Sequence, residues 1–261
     1  MIFSTYKFIF AFLPIVFAGY YILNAINLKK ISKIWLVLAS LYFYAQGSPS
    51  FFNSFFISIT ANYIIGTLLS KIEEKNLEKK LLLAIGLIGN IALLGFYKYT
   101  NFFIANFNLV TGGEHPYLDI ALPIGISFFT FQLIAFLVDS YRGETKEYDI
   151  IDYLLFITFF PQLIVGPIVH HSEVVPQFEN EKNQKINIEN LTKGIFLFVI
   201  GCAKKICIAD VLTSDAQGFF DNIQGNLQMF PTWFHAIEYT ISYYFDLSGY
   251  ADMAIGLRTY V

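Results

Sequence analysis

The chain has 261 residues and a net charge of −3, and it is 56% hydrophobic, 18% aromatic and only 14% charged. A soluble protein carries about 25% charged residues and could not hide 29 Phe and 17 Tyr side chains in this length, so the composition points to a membrane protein. The acidic balance lacks the concentrated basic surface that phosphate backbones demand, which excludes nucleic acid as a partner.

Apolar segments predict helices at about residues 6–23, 31–45, 51–69, 81–96, 119–138, 151–169, 191–211 and 230–245. The first runs into Lys29-Lys30 with no small-residue cleavage site, so it reads as a span rather than a removable signal. Lys29, Lys30 and Lys33 follow the first segment, Lys71, Lys75, Lys79 and Lys80 the third, and Arg142 and Lys146 the fifth, while residues 46–50 carry no charge. Cytoplasmic loops are the lysine-rich ones, which predicts an N-terminus outside. Several segments fall short of the roughly 20 residues that cross a bilayer. The expected fold is therefore an all-α polytopic transmembrane helical bundle with broken or re-entrant helices, forming one membrane domain over residues 1–261. Cys202 and Cys207 read as packing residues, and Gly86, Gly89 and Gly95 as close helix contacts.

Two segments are punctuated. Leu122-Pro123-Ile124-Gly125 opens one, and Phe160 to His171 ends another with Pro161, Gly166 and Pro167. Each proline removes a donor and disfavours helix before it, and non-helical backbone at membrane depth survives only inside protein or beside a watery cavity. The second segment is thus expected to line a pocket. His170-His171 at its end allows two readings, a proton-handling or substrate-positioning imidazole or a cap on a broken helix. Adjacent histidines diverge, so no metal is expected there. His115 and His235 read as interface residues.

The last segment runs into Asp246-Leu247-Ser248-Gly249-Tyr250-Ala251-Asp252-Met253-Ala254-Ile255-Gly256. An ionisable group at mid-bilayer costs roughly 2.5–3.5 kcal/mol on insertion scales, so such groups face protein or water and mark functional paths. On an unbroken helix Asp246, Gly249, Tyr250 and Met253 share a face and Asp252 lies about 120° away. The carboxylates then converge only if Ser248-Gly249 breaks the helix. Pairing with Lys204-Lys205 is the structural reading, and substrate handling the functional one.

Taken in order, Leu41-Tyr42-Phe43-Tyr44-Ala45, Ile59-Thr60-Ala61-Asn62-Tyr63-Ile64-Ile65-Gly66, Tyr97-Lys98-Tyr99, Leu122 to Gln132, Phe160 to Ile168, Lys204-Lys205 and Asp246 to Gly256 resemble the membrane-bound O-acyltransferase family, most of all its bacterial alginate and peptidoglycan O-acetyltransferase branch. The resemblance implies the N-terminal portion of that family's fold, in a bacterial cytoplasmic (inner) membrane. It implies transfer of an acyl group, acetyl by preference, from a cytoplasmic thioester such as acetyl-CoA to an envelope polysaccharide hydroxyl, with no bound cofactor and an extracytoplasmic acetyltransferase as partner protein beside membrane lipid. Substrate-funnel candidates are Gln162, Pro167, His170, His171, Asp246, Ser248, Tyr250 and Asp252. The family's catalytic histidine lies downstream of the Asp246 run, beyond Val261, so no residue here is expected to be catalytic and the chain is expected to be a C-terminally truncated, inactive fragment. A transporter or channel, and a non-catalytic scaffold, are the competing classes.

Overall fold

The computed structural model describes residues 2–73, 76–145, 149–163, 177–178, 185–222 and 228–259. Ten α-helices and no strand occur among the described residues: α1 (Leu13–Ala25), α2 (Lys29–Gly47), α3 (Phe52–Lys71), α4 (Leu77–Thr111), α5 (Ile126–Arg142), α6 (Ile150–Thr158), α7 (Phe160–Leu163), α8 (Ile188–Ala203), α9 (Asp210–Asp221) and α10 (Met229–Arg258). Three helical stretches, Phe8–Ala25, Pro49–Lys71 and Leu77–Thr111, are long and apolar enough to cross a bilayer. The fold is all-α and of membrane type. Its contacts divide into two compact units, with the described residues of one in 2–32, 177–178, 185–222 and 228–259, and those of the other in 33–73, 76–145 and 149–163.

In the second unit α5 packs against both α3 and α4. Its inward residues Ile126, Phe129, Leu133, Phe136 and Leu137 recur three or four apart, the spacing that keeps one helical face turned to neighbours. Aromatic rings fill the space between helices: Tyr44 stacks on Phe55 at 4.1 Å, Phe55 meets Phe129 at 4.6 Å, and Phe136 meets Tyr153 at 4.5 Å. Polar groups at this depth are paired. Asn62 on α3 and Asn90 on α4 exchange amide hydrogen bonds of 3.2 and 2.7 Å, and Tyr153 donates to the Ile59 carbonyl at 2.8 Å.

The breaks have local causes. Gly125, at φ 73° in the left-handed region that suits glycine, starts α5 at Ile126, later than expected, because residues 119–122 before Pro123 are not helical. α6 ends at Phe159, two residues before Pro161, whose ring cannot coexist with the helical carbonyl four residues back. The Phe160 N–H freed by the break donates to the Ser40 hydroxyl on α2 at 3.1 Å. α4 runs far past the expected 81–96: at 35 residues it is about 52 Å long, against a hydrocarbon core of about 30 Å. Its extension serves as a post for residues 115–118. Asn108 donates to the His115 carbonyl and accepts its N–H at 2.9 and 3.0 Å, and Asn101 does the same to Leu118 at the same distances.

In the first unit, Pro14 has no N–H and crowds the carbonyl of Phe10. The chain ahead of it widens to a π-helix, Phe8–Phe12, in which Leu13 N–H bonds the Phe8 carbonyl. Phe8, Phe12, Val16 and Tyr20 form the buried stripe that continues into α1. α8 begins at Asn187, whose side chain caps the N–H groups of Glu189 and Asn190. It passes through a second π-helical stretch, Lys204–Ala209, into α9 with no change of backbone region at either junction. α10 packs on all three pieces. It is one unbroken helix through the Asp246 run, so Ser248-Gly249 does not break it.

Candidate functional site

The unbroken α10 reaches α8 through two glycine contacts. A Cβ on Gly249 would lie 2.8 Å from the Gly201 carbonyl oxygen, and one on Gly256 would lie 2.7 Å from that of Gly194. Residues 194 and 201 thus meet 256 and 249, so the helices run antiparallel at backbone contact. Gly249 is therefore a site of close approach, which explains its place inside a helix. Gly86 is likewise close to Leu137 and Ile65, whereas Gly89 and Gly95 have nothing within 4 Å and are not contacts of this kind.

That approach brings Lys204 and Lys205 to the carboxylates of α10. Lys204 Nζ donates to Asp252 Oδ2 at 2.6 Å and to Ser248 Oγ at 3.0 Å. Lys205 Nζ lies 2.6 Å from Asp246 Oδ1, off the direction of a hydrogen bond, and 2.7 Å from Asp210 Oδ1. It also sits over the Tyr250 ring at 5.7 Å, and Tyr250 in turn packs on Phe3 at 6.0 Å. Asp246 and Asp252 diverge to different lysines, as an unbroken helix requires, and do not form an acid and base pair. Each faces an ammonium, which matches the paired structural reading. Asp210 is a third carboxylate that sequence reasoning did not bring in. Its position six residues past Lys204, inside what read as one apolar span, was the available signal.

Gln162 lies in the other unit. It is 6% exposed, and neither its carbonyl oxygen nor its amide nitrogen has a hydrogen-bond partner. A buried primary amide left unpaired costs about 1–3 kcal/mol, which makes it a group waiting for a complementary donor and acceptor. Pro167, His170 and His171 lie outside the described residues. Sequence reasoning also left His235 as an isolated interface residue. The structure sets its Nδ1 2.9 Å from Glu238 Oε2, with Asp215 close by.

The family model described as "MBOAT, membrane-bound O-acyltransferase family" matches residues 22–258. Among curated proteins, the chain is similar to the "Peptidoglycan O-acetyltransferase" of Helicobacter pylori, 42% identical over 98% of this chain and 53% of the relative. It is also similar to the "Probable alginate O-acetylase AlgI" of Pseudomonas aeruginosa, 35% identical over 98% of this chain and 49% of that protein. A more distant relative is the "Teichoic acid D-alanyltransferase" of Streptococcus thermophilus, 24% identical over 51% of this chain and 33% of that protein. The chain spans about half the length of the first two relatives.

Proposed function

Because the chain belongs to the membrane-bound O-acyltransferase family, we propose that it forms the membrane-embedded part of an O-acetyltransferase acting on a cell-envelope polysaccharide. The observation that carries this reading is the match to an O-acetyltransferase relative along 98% of the chain. The donor is a cytoplasmic thioester such as acetyl-CoA, the membrane is the bacterial cytoplasmic one, and an extracytoplasmic acetyltransferase is the partner that receives or directs the acetyl group. A thioester is already activated, so the chemistry needed is removal of a proton from the acceptor hydroxyl. On this reading that base comes from outside residues 22–258, while this chain supplies the path and its walls.

Gln162 is the wall residue whose contribution can be read out. Gln162→Leu is expected to abolish most acetylation of envelope polysaccharide in the living cell while the protein stays at its normal level in the membrane. Replacing an unpaired buried amide by an apolar group of similar size relieves its desolvation cost, so the melting temperature should hold or rise. Full acetylation together with a raised melting temperature would reduce Gln162 to an unsatisfied packing residue.

The orientation follows from loop lysines. An engineered cysteine at exposed Ser50 is expected to react with a membrane-impermeant thiol reagent added outside, and one at exposed Glu73 only after the membrane is opened. The reverse pattern would put the donor on the wrong side and overturn the reading.

A further inference from the structure

Asp215 on α9 and His235 and Glu238 on α10 offer one imidazole nitrogen and two carboxylate oxygens, all within 4.8 Å of one another. His235 and Glu238 are three residues apart, hence neighbours on one helical face, and Nδ1 of the first lies 2.9 Å from Oε2 of the second. The imidazole is held in place: it stacks on Phe219 at 4.2 Å and 21°, and Phe234 meets it edge-on at 5.2 Å. A floppy surface histidine has no such fixing.

The charge of this group is unbalanced. Lys204 and Lys205 each have carboxylate partners, but no lysine or arginine among the described residues pairs with Asp215 or Glu238. Glu238 keeps only 9% of its surface exposed, so its carboxylate is taken from water beside a second carboxylate. Such burial is unfavourable unless a cation compensates. An imidazolium would leave one negative charge over, whereas a divalent ion bound to neutral imidazole leaves none.

We propose that Asp215, His235 and Glu238 form a divalent transition-metal site, best matched to zinc, that clamps α9 to α10. A mixed nitrogen and oxygen donor set favours such ions over calcium and magnesium, which take all-oxygen cages. Ligand atoms about 2.0–2.2 Å from a tetrahedral zinc lie about 3.3 Å from each other. His235 and Glu238 are already near that spacing, and exposed Asp215 closes the rest by rotation of its side chain. The fourth position is left to water.

The test is metal binding by the purified full chain in detergent, with any affinity tag removed and bound metal stripped by a chelator. One zinc per chain is expected by calorimetry, with a rise in melting temperature that magnesium does not reproduce. Asp215→Asn and His235→Ala should each weaken zinc binding at least tenfold and lose the rise. Asp215 is exposed, so its variant folds even where a change at Glu238 does not. Absence of zinc uptake, or equal uptake by wild type and both variants, overturns the proposal. So does a melting temperature that responds to pH but not to zinc, which would leave a protonated His235–Glu238 pair as the whole story.

Discussion

Lys205→Ala is expected to lower the melting temperature of the detergent-solubilised protein by roughly 5–10 °C, given about 2–4 °C per kcal/mol for a chain of this size. The ammonium sits between Asp210 on α9 and Asp246 on α10 at 2.7 and 2.6 Å. Without it, two carboxylates on packed helices face each other with no cation between them. Breaking one side of a buried ion pair costs about 3–5 kcal/mol, and the 51% and 33% exposure of the two carboxylate side chains puts this case at the low end. The loss arises from the stranded charges. Adding Asp246→Asn to Lys205→Ala should therefore recover part of the melting temperature. If Lys205→Ala melts with wild type, the seam is not held by charge.

Gly201→Ala should be the more damaging change although it adds one methyl. The new Cβ would lie 2.6 Å from the Gly249 carbonyl oxygen and 2.7 Å from the Met253 nitrogen. Both are backbone atoms in the interior of α10, so no side chain can swing aside and the helices must part. Overpacking costs about 1–3 kcal/mol and sometimes more, and here separation also draws Lys204 and Lys205 away from their carboxylates. The expected result is a severe drop in folded protein recovered from membranes. Gly95→Ala is the matched control: nothing lies within 4 Å of its Cβ, and replacing glycine in an open helix interior gains about 0.8–1 kcal/mol of helix propensity. Gly201→Ala at or above wild-type recovery would refute the backbone contact.

The parts of the fold legible in the sequence were those governed by local chemistry. Apolar runs marked the helices, and Pro123 and Pro161 marked interruptions, because both signals act within one turn. The exact break at Phe159 depended on Ser40, 120 residues away, accepting the freed N–H. α4 was read too short because Asn101 and Asn108 look like loop residues by composition, whereas they are anchors for backbone at 115–118. Gly249 carried two meanings, breaker and contact, and only a neighbour at Gly201 separates them. Charges were more informative. Asp246 and Asp252 in a greasy segment demand cations, and Lys204-Lys205 was the one basic pair inside another. Asp215, His235 and Glu238 escaped because their grouping depends on how α9 meets α10.

The wide turn at Lys204–Ala209 has a counting consequence. Along α10, His235, Ser242, Gly249 and Gly256 recur every seven residues. On the opposing helix the buried small residues Gly194, Gly201, Ala209 and Ala216 are spaced seven, eight and seven, and the long interval is the one holding the π-helical turn. One extra residue has been absorbed there as a bulge, which keeps α9 in phase with a partner that never skips. Deleting any one residue of 204–209 would let the backbone relax into ordinary α-helix and still rotate all that follows by about 100°. This hairpin is thus more exposed to a change in the number of its residues than to a change in their kind.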